Sequence, residues 1–149
     1  MGIGTVRGEL IPAPQWIARN LFMGNYRQLK VWGKAHALAL GVYRTTRIFP
    51  SEEKYGLAAQ LRRASISVVS NIAEGAGRQS DREQMRFLRI ARGSVHELEC
   101  QLQLSKDLGY IRSGMWSKLD GQAQEISKMI NGLIAPLMQR PERSPRRDS

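Results

Sequence analysis

Cysteine is almost absent: Cys100 is the single thiol in 149 residues, so no internal disulfide can staple the fold. There is no paired-cysteine zinc pattern, no H-E-x-x-H and no phosphate-binding glycine loop. The two histidines, His36 and His96, each have glycine three residues earlier, Gly33 and Gly93, which excludes the Glu-x-x-His pairs of di-iron bundles. No metal or cofactor is therefore expected. No apolar run approaches the ~20 residues that span a bilayer, and the amino terminus lacks the basic start and apolar stretch of a signal peptide. The expected setting is the cytoplasm, away from membranes. Acidic residues are also scarce: 13 against 23 Lys plus Arg, leaving a net charge of +10 and a pI near 10.5. That excess favours a polyanionic partner, nucleic acid or an acidic surface, without choosing between them.

What is present is helical periodicity. Residues 1–24 hold Gly2, Gly4, Gly8, Pro12 and Pro14 without a sustained period, and are expected to form a flexible leader. The end from Arg140, RPERSPRRDS, is expected to be a disordered basic tail over 140–149. The stretch 25–139 between them divides into four segments. The first runs from about Tyr26 to Phe49, with Trp32, Ala35, Ala39, Val42, Thr46 and Phe49 spaced by threes and fours. Pro50 stops it, Ser51 is placed to cap the second, and Gly75 and Gly77 suit a left-handed C-cap after Glu74. Ser80-Asp81-Arg82-Glu83 is a capping box opening the third, which is expected to end near Leu108-Gly109. Ser113 is placed to cap the fourth, whose seam is Trp116, Leu119, Ala123, Ile126, Ile130, Leu133 and Leu137. Four amphipathic helices with short connections predict an all-α, up-down-up-down antiparallel four-helix bundle.

At about 100° per residue, Arg82, Arg86, Arg89, Arg92 and His96 fall in one stripe of the third helix. Phe87, Leu88, Ala91, Val95, Leu98, Leu102 and Leu104 are assigned to the core side. With Arg78 in the preceding loop, the stripe suits a phosphate backbone, so Arg78, Arg82, Arg86, Arg89 and Arg92 are the candidate nucleic-acid contacts. In the second helix Gln60, Arg63, Ser67, Ser70, Asn71 and Glu74 share one arc, while apolar residues cover most of the remainder. That apolar arc is wider than one core stripe needs, which predicts a subunit interface with Arg63, Ser67, Asn71 and Glu74 in or beside it as a polar seam. Gly93-Ser94 is expected to mark a close approach of helices.

No catalytic residue is nominated. Cys100 at i+4 from His96 lacks an orienting third group. Arg89 and His96, with six residues between them, match the spacing of HEPN-type helical ribonucleases, a weak pattern in an arginine-rich helix.

Longer motifs carry a resemblance. Asn25-Tyr26, Leu29-x-Val31-Trp32-x-x-Ala35, FPSEEKYGLAAQLRRA, SNIAEGAGR, RFLRIARGSVHELECQL and KDLGY, spanning 25–112, resemble the four-helix-bundle family encoded within intervening sequences of bacterial large-subunit ribosomal RNA genes. The resemblance implies a small basic bundle forming a ring-shaped homo-oligomer, a pentamer in characterised relatives, without known enzymatic activity. It also implies kinship with the accessory protein of the reverse transcriptase in diversity-generating retroelements. Arg62, Arg63, Asn71, Glu74, Gly75 and Arg78 match the family's middle motif, and Gly93, Ser94, Glu97 and Glu99 its third-helix motif. Val69 stands where relatives often carry proline, His96 where many carry a small residue, and residues 1–22 have no counterpart, so Met23 is a candidate start. The functional expectation is a non-enzymatic ring that binds RNA or DNA through the phosphate backbone. A protein-interaction ring, such as a reverse-transcriptase accessory subunit, is the alternative.

Overall fold

The computed structural model describes residues 25–139, together with the antiparallel strand pair Thr5–Val6 and Glu9–Leu10. The remainder of the expected leader, the proposed Met23 start and the 140–149 tail lie outside the described residues. Four helices make the body: α1 (Lys30–Thr46), α2 (Leu57–Ala76), α3 (Asp81–Asp107) and α4 (Ser113–Met138). Each packs on the next, and α1 closes against α4. Neighbouring helices run in opposite directions: Ser67 meets Ser94 while Gly75 meets Phe87, Arg92 meets Asn131 while His96 meets Ser127, and Lys34 meets Glu125 while Gly41 meets Leu119, so the bundle is up-down-up-down. Among the described residues no helix is long and apolar enough to cross a membrane.

One core runs through all four helices. Leu38 and Val42 of α1, Leu61, Val68 and Ile72 of α2, Leu88, Val95, Leu98 and Leu102 of α3, and Leu119, Ile126 and Ile130 of α4 are almost wholly buried. These are the three-four rows expected of helix faces that pack inward. Leu104 departs from its assignment: it is 50% exposed, because its position in the helical turn falls on the arginine side. In α4 Ile134 is buried while Leu133 and Leu137 are only partly so, and in α1 Val31 and Leu38 take the core places expected of Trp32 and Ala39.

The ends of the helices differ from expectation in instructive ways. Tyr26–Gln28 is a separate 3-10 turn, capped when Asn25 Oδ1 accepts the Arg27 N–H at 3.0 Å. Phe49 has left α1, yet stays buried with its ring 5.4 Å from that of Tyr110. Ser51 starts a short 3-10 turn instead of capping α2; the Glu53 carboxylate accepts the Leu57 N–H at 2.8 Å and does the capping. Gly77 has φ −84°, so the expected left-handed cap is absent there, and Gly75 is buried within the helix. A β-carbon at Gly75 would stand 3.1 Å from Phe87 Cβ, closer than ordinary packing, so glycine eases the approach of α3 here rather than making a turn.

Ser80 does cap α3, its hydroxyl accepting the Glu83 N–H at 3.1 Å, while the Glu83 carboxylate turns to Arg86 instead of back to the cap. The left-handed residue is Gly109, φ +79°, where the Gly109 and Tyr110 N–H groups return to Lys106 and Ser105 carbonyls in a Schellman motif. Arg112, not Ser113, occupies the N-cap of α4 without a side-chain bond.

Glu53 joins two loops at one end of the bundle, since its other carboxylate oxygen accepts the Tyr110 hydroxyl at 3.1 Å. Burial foremost, then that bond and the Glu53 charge, holds the Tyr110 phenol above its ordinary 10.0. A folded value above the unfolded one means stability is intact below pH 10.0 and is lost as pH rises beyond it. Glu53→Ala should cost about 1–2 kcal/mol, from a lost cap and a lost hydrogen bond, in a denaturant titration at neutral pH. It should also bring Tyr110 ionisation, followed by ultraviolet absorbance, back toward 10.0.

Candidate nucleic-acid interface

The Ser80 cap and the buried face of α3 together decide which residues point outward. Arg82, Arg86 and Arg89 lie exposed on the first half of the helix, around a shallow recess that Glu83, Met85 and Ile90 also line. Arg78 joins them from the turn between α2 and α3. Its backbone carbonyl accepts the side-chain amide of buried Gln84 at 2.7 Å, which ties that turn to the helix. Phe87, expected in the core, is half-buried and serves as a platform instead. The guanidinium carbons of Arg78 and Arg86 lie 4.7 and 4.6 Å from its ring centroid. Such cation–π contacts hold two arginines in place without consuming their hydrogen-bond donors.

The nominated arginines are not equivalent. Arg78 pairs with Glu74 at 3.0 Å and Arg86 with Glu83 at 3.4 Å, both exposed pairs of small energetic worth that a phosphate can displace. Among the described residues Arg82 and Arg89 form no ion pair. Arg92 is half-buried and donates to Asn131 Oδ1 of α4 at 2.9 Å, so part of its donor set is committed to the bundle. His96 is exposed, with its Nε2 3.5 Å from Ser127 Oγ. Seven positions place it about 10 Å along the helix from Arg89. The described residues contain no group of three or more His, Cys, Asp or Glu side chains set to hold a metal ion.

The polar seam of α2 divides in the same manner. Ser67 Oγ lies 2.7 Å from Ser94 Oγ of α3, and the Asn71 amide donates to the carbonyl and hydroxyl of Ser67. The serine pair joins α2 to α3 within one chain, and Asn71 braces Ser67 from its own helix. Arg63 bonds Gln60, and Glu74 bonds Arg78, both on the exposed side. The contact expected of Gly93-Ser94 belongs to Ser94, which is buried; a β-carbon at Gly93 would meet nothing within 4 Å. Sequence spacing alone also missed Asn131 and the double use of Phe87. An aromatic residue next to Arg86 was the available signal.

Two outcomes test this geometry. Gly93→Ala should raise stability by about 1 kcal/mol in thermal or denaturant melts, because it adds helix propensity and meets no neighbour. Glu99 is held above its ordinary 4.5, by burial first and by Asp120, against the opposing charge of His96. Its contribution is therefore greatest below pH 4.5 and lost as pH rises through the folded value. Glu99→Gln should raise the melting temperature at neutral pH and leave it nearly unchanged in acid.

The model of the 23S rRNA-intervening sequence protein family matches residues 27–132. Among solved structures, a protein of unknown function from the S23 ribosomal protein family of Bacteroides thetaiotaomicron is similar, at 23% identity and a TM-score of 0.66, covering 70% of this chain and 97% of that one. At that identity the likeness speaks for the fold. No curated protein matches the chain.

Proposed function

Because the chain belongs to the 23S rRNA-intervening sequence protein family, we propose that it is a non-enzymatic, basic helical scaffold that binds RNA or DNA through the phosphate backbone. The observation that carries this reading is the exposed Arg82, Arg86 and Arg89 row, joined at its end by Arg78 on the shared Phe87 platform. Guanidinium groups spaced along a helix meet successive phosphates and carry little base information, so affinity should depend on salt more than on sequence. Arg92, tethered to Asn131, contributes charge from the edge of this row.

Assembly belongs to the same proposal. Ile66 is 47% exposed on α2, and Ala59, Val69 and Ala73 beside it are half-buried. This apolar arc is left over after the core is filled, and packing against further copies in a closed ring covers it. A pentamer, as the family resemblance implies, multiplies the arginine row fivefold. Arg63 and Glu74 sit at the margin of the arc, Ser67 and Asn71 on its inner side. The setting we propose is the cytoplasm.

A protein-docking reading rests on the recess among the arginines, where Ile90 is 42% exposed beside half-buried Met85. Acidic partners, a reverse transcriptase among them, would find apolar and cationic contacts together there. Association that survives nuclease treatment distinguishes that role from RNA binding. The ribonuclease alternative requires metal-independent RNA cleavage that His96→Ala abolishes.

The logarithm of the affinity for a structured RNA should fall linearly with the logarithm of salt concentration. Replacing Arg82, Arg86 and Arg89 together by glutamate should weaken binding across unrelated sequences and flatten the slope by about 3. An unchanged affinity in that variant would remove the row from the proposal.

A further inference from the structure

The positive charge of the bundle is concentrated elsewhere than on its arginine stripe. Over Asp81–Asp107, Arg82, Arg86, Arg89, Arg92 and Lys106 are matched by Asp81, Glu83, Glu97, Glu99 and Asp107, so α3 is neutral overall. The stretch from Leu10 to Ser51, by contrast, contains no acidic residue at all. Its described part carries Arg27, Lys30, Lys34, Arg44 and Arg47. Of these, Lys34 pairs with Glu125 of α4 at 2.9 Å, and the others form no ion pair among the described residues.

Aromatic rings run alongside these cations. Trp32 and His36, one turn apart on α1, stack with centroids 4.9 Å apart and planes 17° from parallel. Tyr26 meets the Trp32 ring edge-on at 5.2 Å, and Arg27 lies 4.8 Å over the Tyr26 ring. Farther along the same side Tyr43, 37% exposed, has the Arg62 guanidinium 4.8 Å from its centroid. Arg62 is fixed there because its Nε donates to Thr46 Oγ1 at 2.8 Å. From Trp32 to Tyr43 the rings span about 16 Å of helix, with His36 exposed between them.

We infer that the outer face of α1 is a second nucleic-acid site, specific for single strands, in which bases stack on His36 and Tyr43 while Arg44, Arg47 and Lys30 follow the backbone. Ordered rings beside an uninterrupted run of cations are the combination that single-strand grooves use, since every base presents a π-face whatever its identity. In a duplex the bases are already stacked on one another and leave nothing for the rings to take. The Trp32 ring behind His36 and the Arg62 guanidinium at Tyr43 hold the two contact rings in place, so little side-chain freedom remains to be lost on binding. This site rests on the nucleic-acid reading above and deepens it: the α3 row accepts any phosphate backbone, and α1 selects the unpaired form.

The test compares a fluorescently labelled single-stranded oligonucleotide with the duplex of the same sequence by anisotropy, using full-length protein, with assembly mass measured in parallel by light scattering. His36→Ala and Tyr43→Ala, each at an exposed position, should weaken single-strand binding on the order of tenfold while leaving duplex affinity and mass unchanged. Tyr43→Phe, which keeps the ring, should restore it. Equal single-strand affinity in wild type and both alanine variants, with the Arg82, Arg86 and Arg89 reversal still lowering it, would overturn the α1 site and leave the α3 reading standing. Failure of the wild-type protein to bind either form would overturn both. A change of assembly mass without a change of affinity would make this face a contact between copies, which also overturns it.

Discussion

Gly75 lies inside α2 at a point where a β-carbon would come within 3.1 Å of Phe87 Cβ and 3.5 Å of the Gln84 carbonyl of α3. The clearance that glycine provides lets the two helices meet closely at this point, and the side chains around the contact carry its geometry to the outer surface. Buried Gln84 then reaches the Arg78 carbonyl, and Phe87 emerges at the edge of the contact as a platform for two guanidinium groups. Small residues continue along these helices, with Ala64 buried on α2 and Ala91 and Ser94 on α3. The Ser67–Ser94 hydroxyl pair marks the same closeness farther along. Serine and alanine permit this spacing; larger residues would push the helices apart and leave the turn arginine without its partners.

Charge follows a different logic from packing. The third helix shows its arginines prominently, yet its carboxylates balance them, and the exposed pairs Arg78–Glu74 and Arg86–Glu83 are weak enough to reopen for a phosphate. The first helix lacks acidic residues altogether, and its cations are accompanied by rings already stacked or capped by arginine. Two cationic surfaces of unlike chemistry therefore stand on one small scaffold: one a row of point contacts, the other a mixture of charge and π-surface.

Most of the architecture could be read from periodicity. Four apolar rows and short connections specify a four-helix bundle, and the capping serine at Ser80 and the stop at Gly109 were legible because each is a local matter of backbone donors and allowed φ. The glycines at the end of α2 differ from the expected left-handed cap for a physical reason: glycine serves both left-handed turns and close helix contacts, and only the position of the neighbouring helix separates the two uses. Leu104 is half-exposed instead of core because its rotation about the helix points it in the same direction as Arg86.

The arginine row was visible because it lies on a single helix, and its outward direction follows from the apolar residues opposite. The Arg78 contact with Phe87, the Arg92–Asn131 bond and the Arg62 guanidinium over Tyr43 were not, because each joins elements whose separation in sequence has no fixed relation to their separation in space. Sequence by itself determined the number of helices, their inward faces and the sign of the charge, all of which are local periodicities or sums. Tertiary structure alone decided which cations are tethered, which stand free and which lie beside a ring, since those depend on distances of a few ångströms between helices.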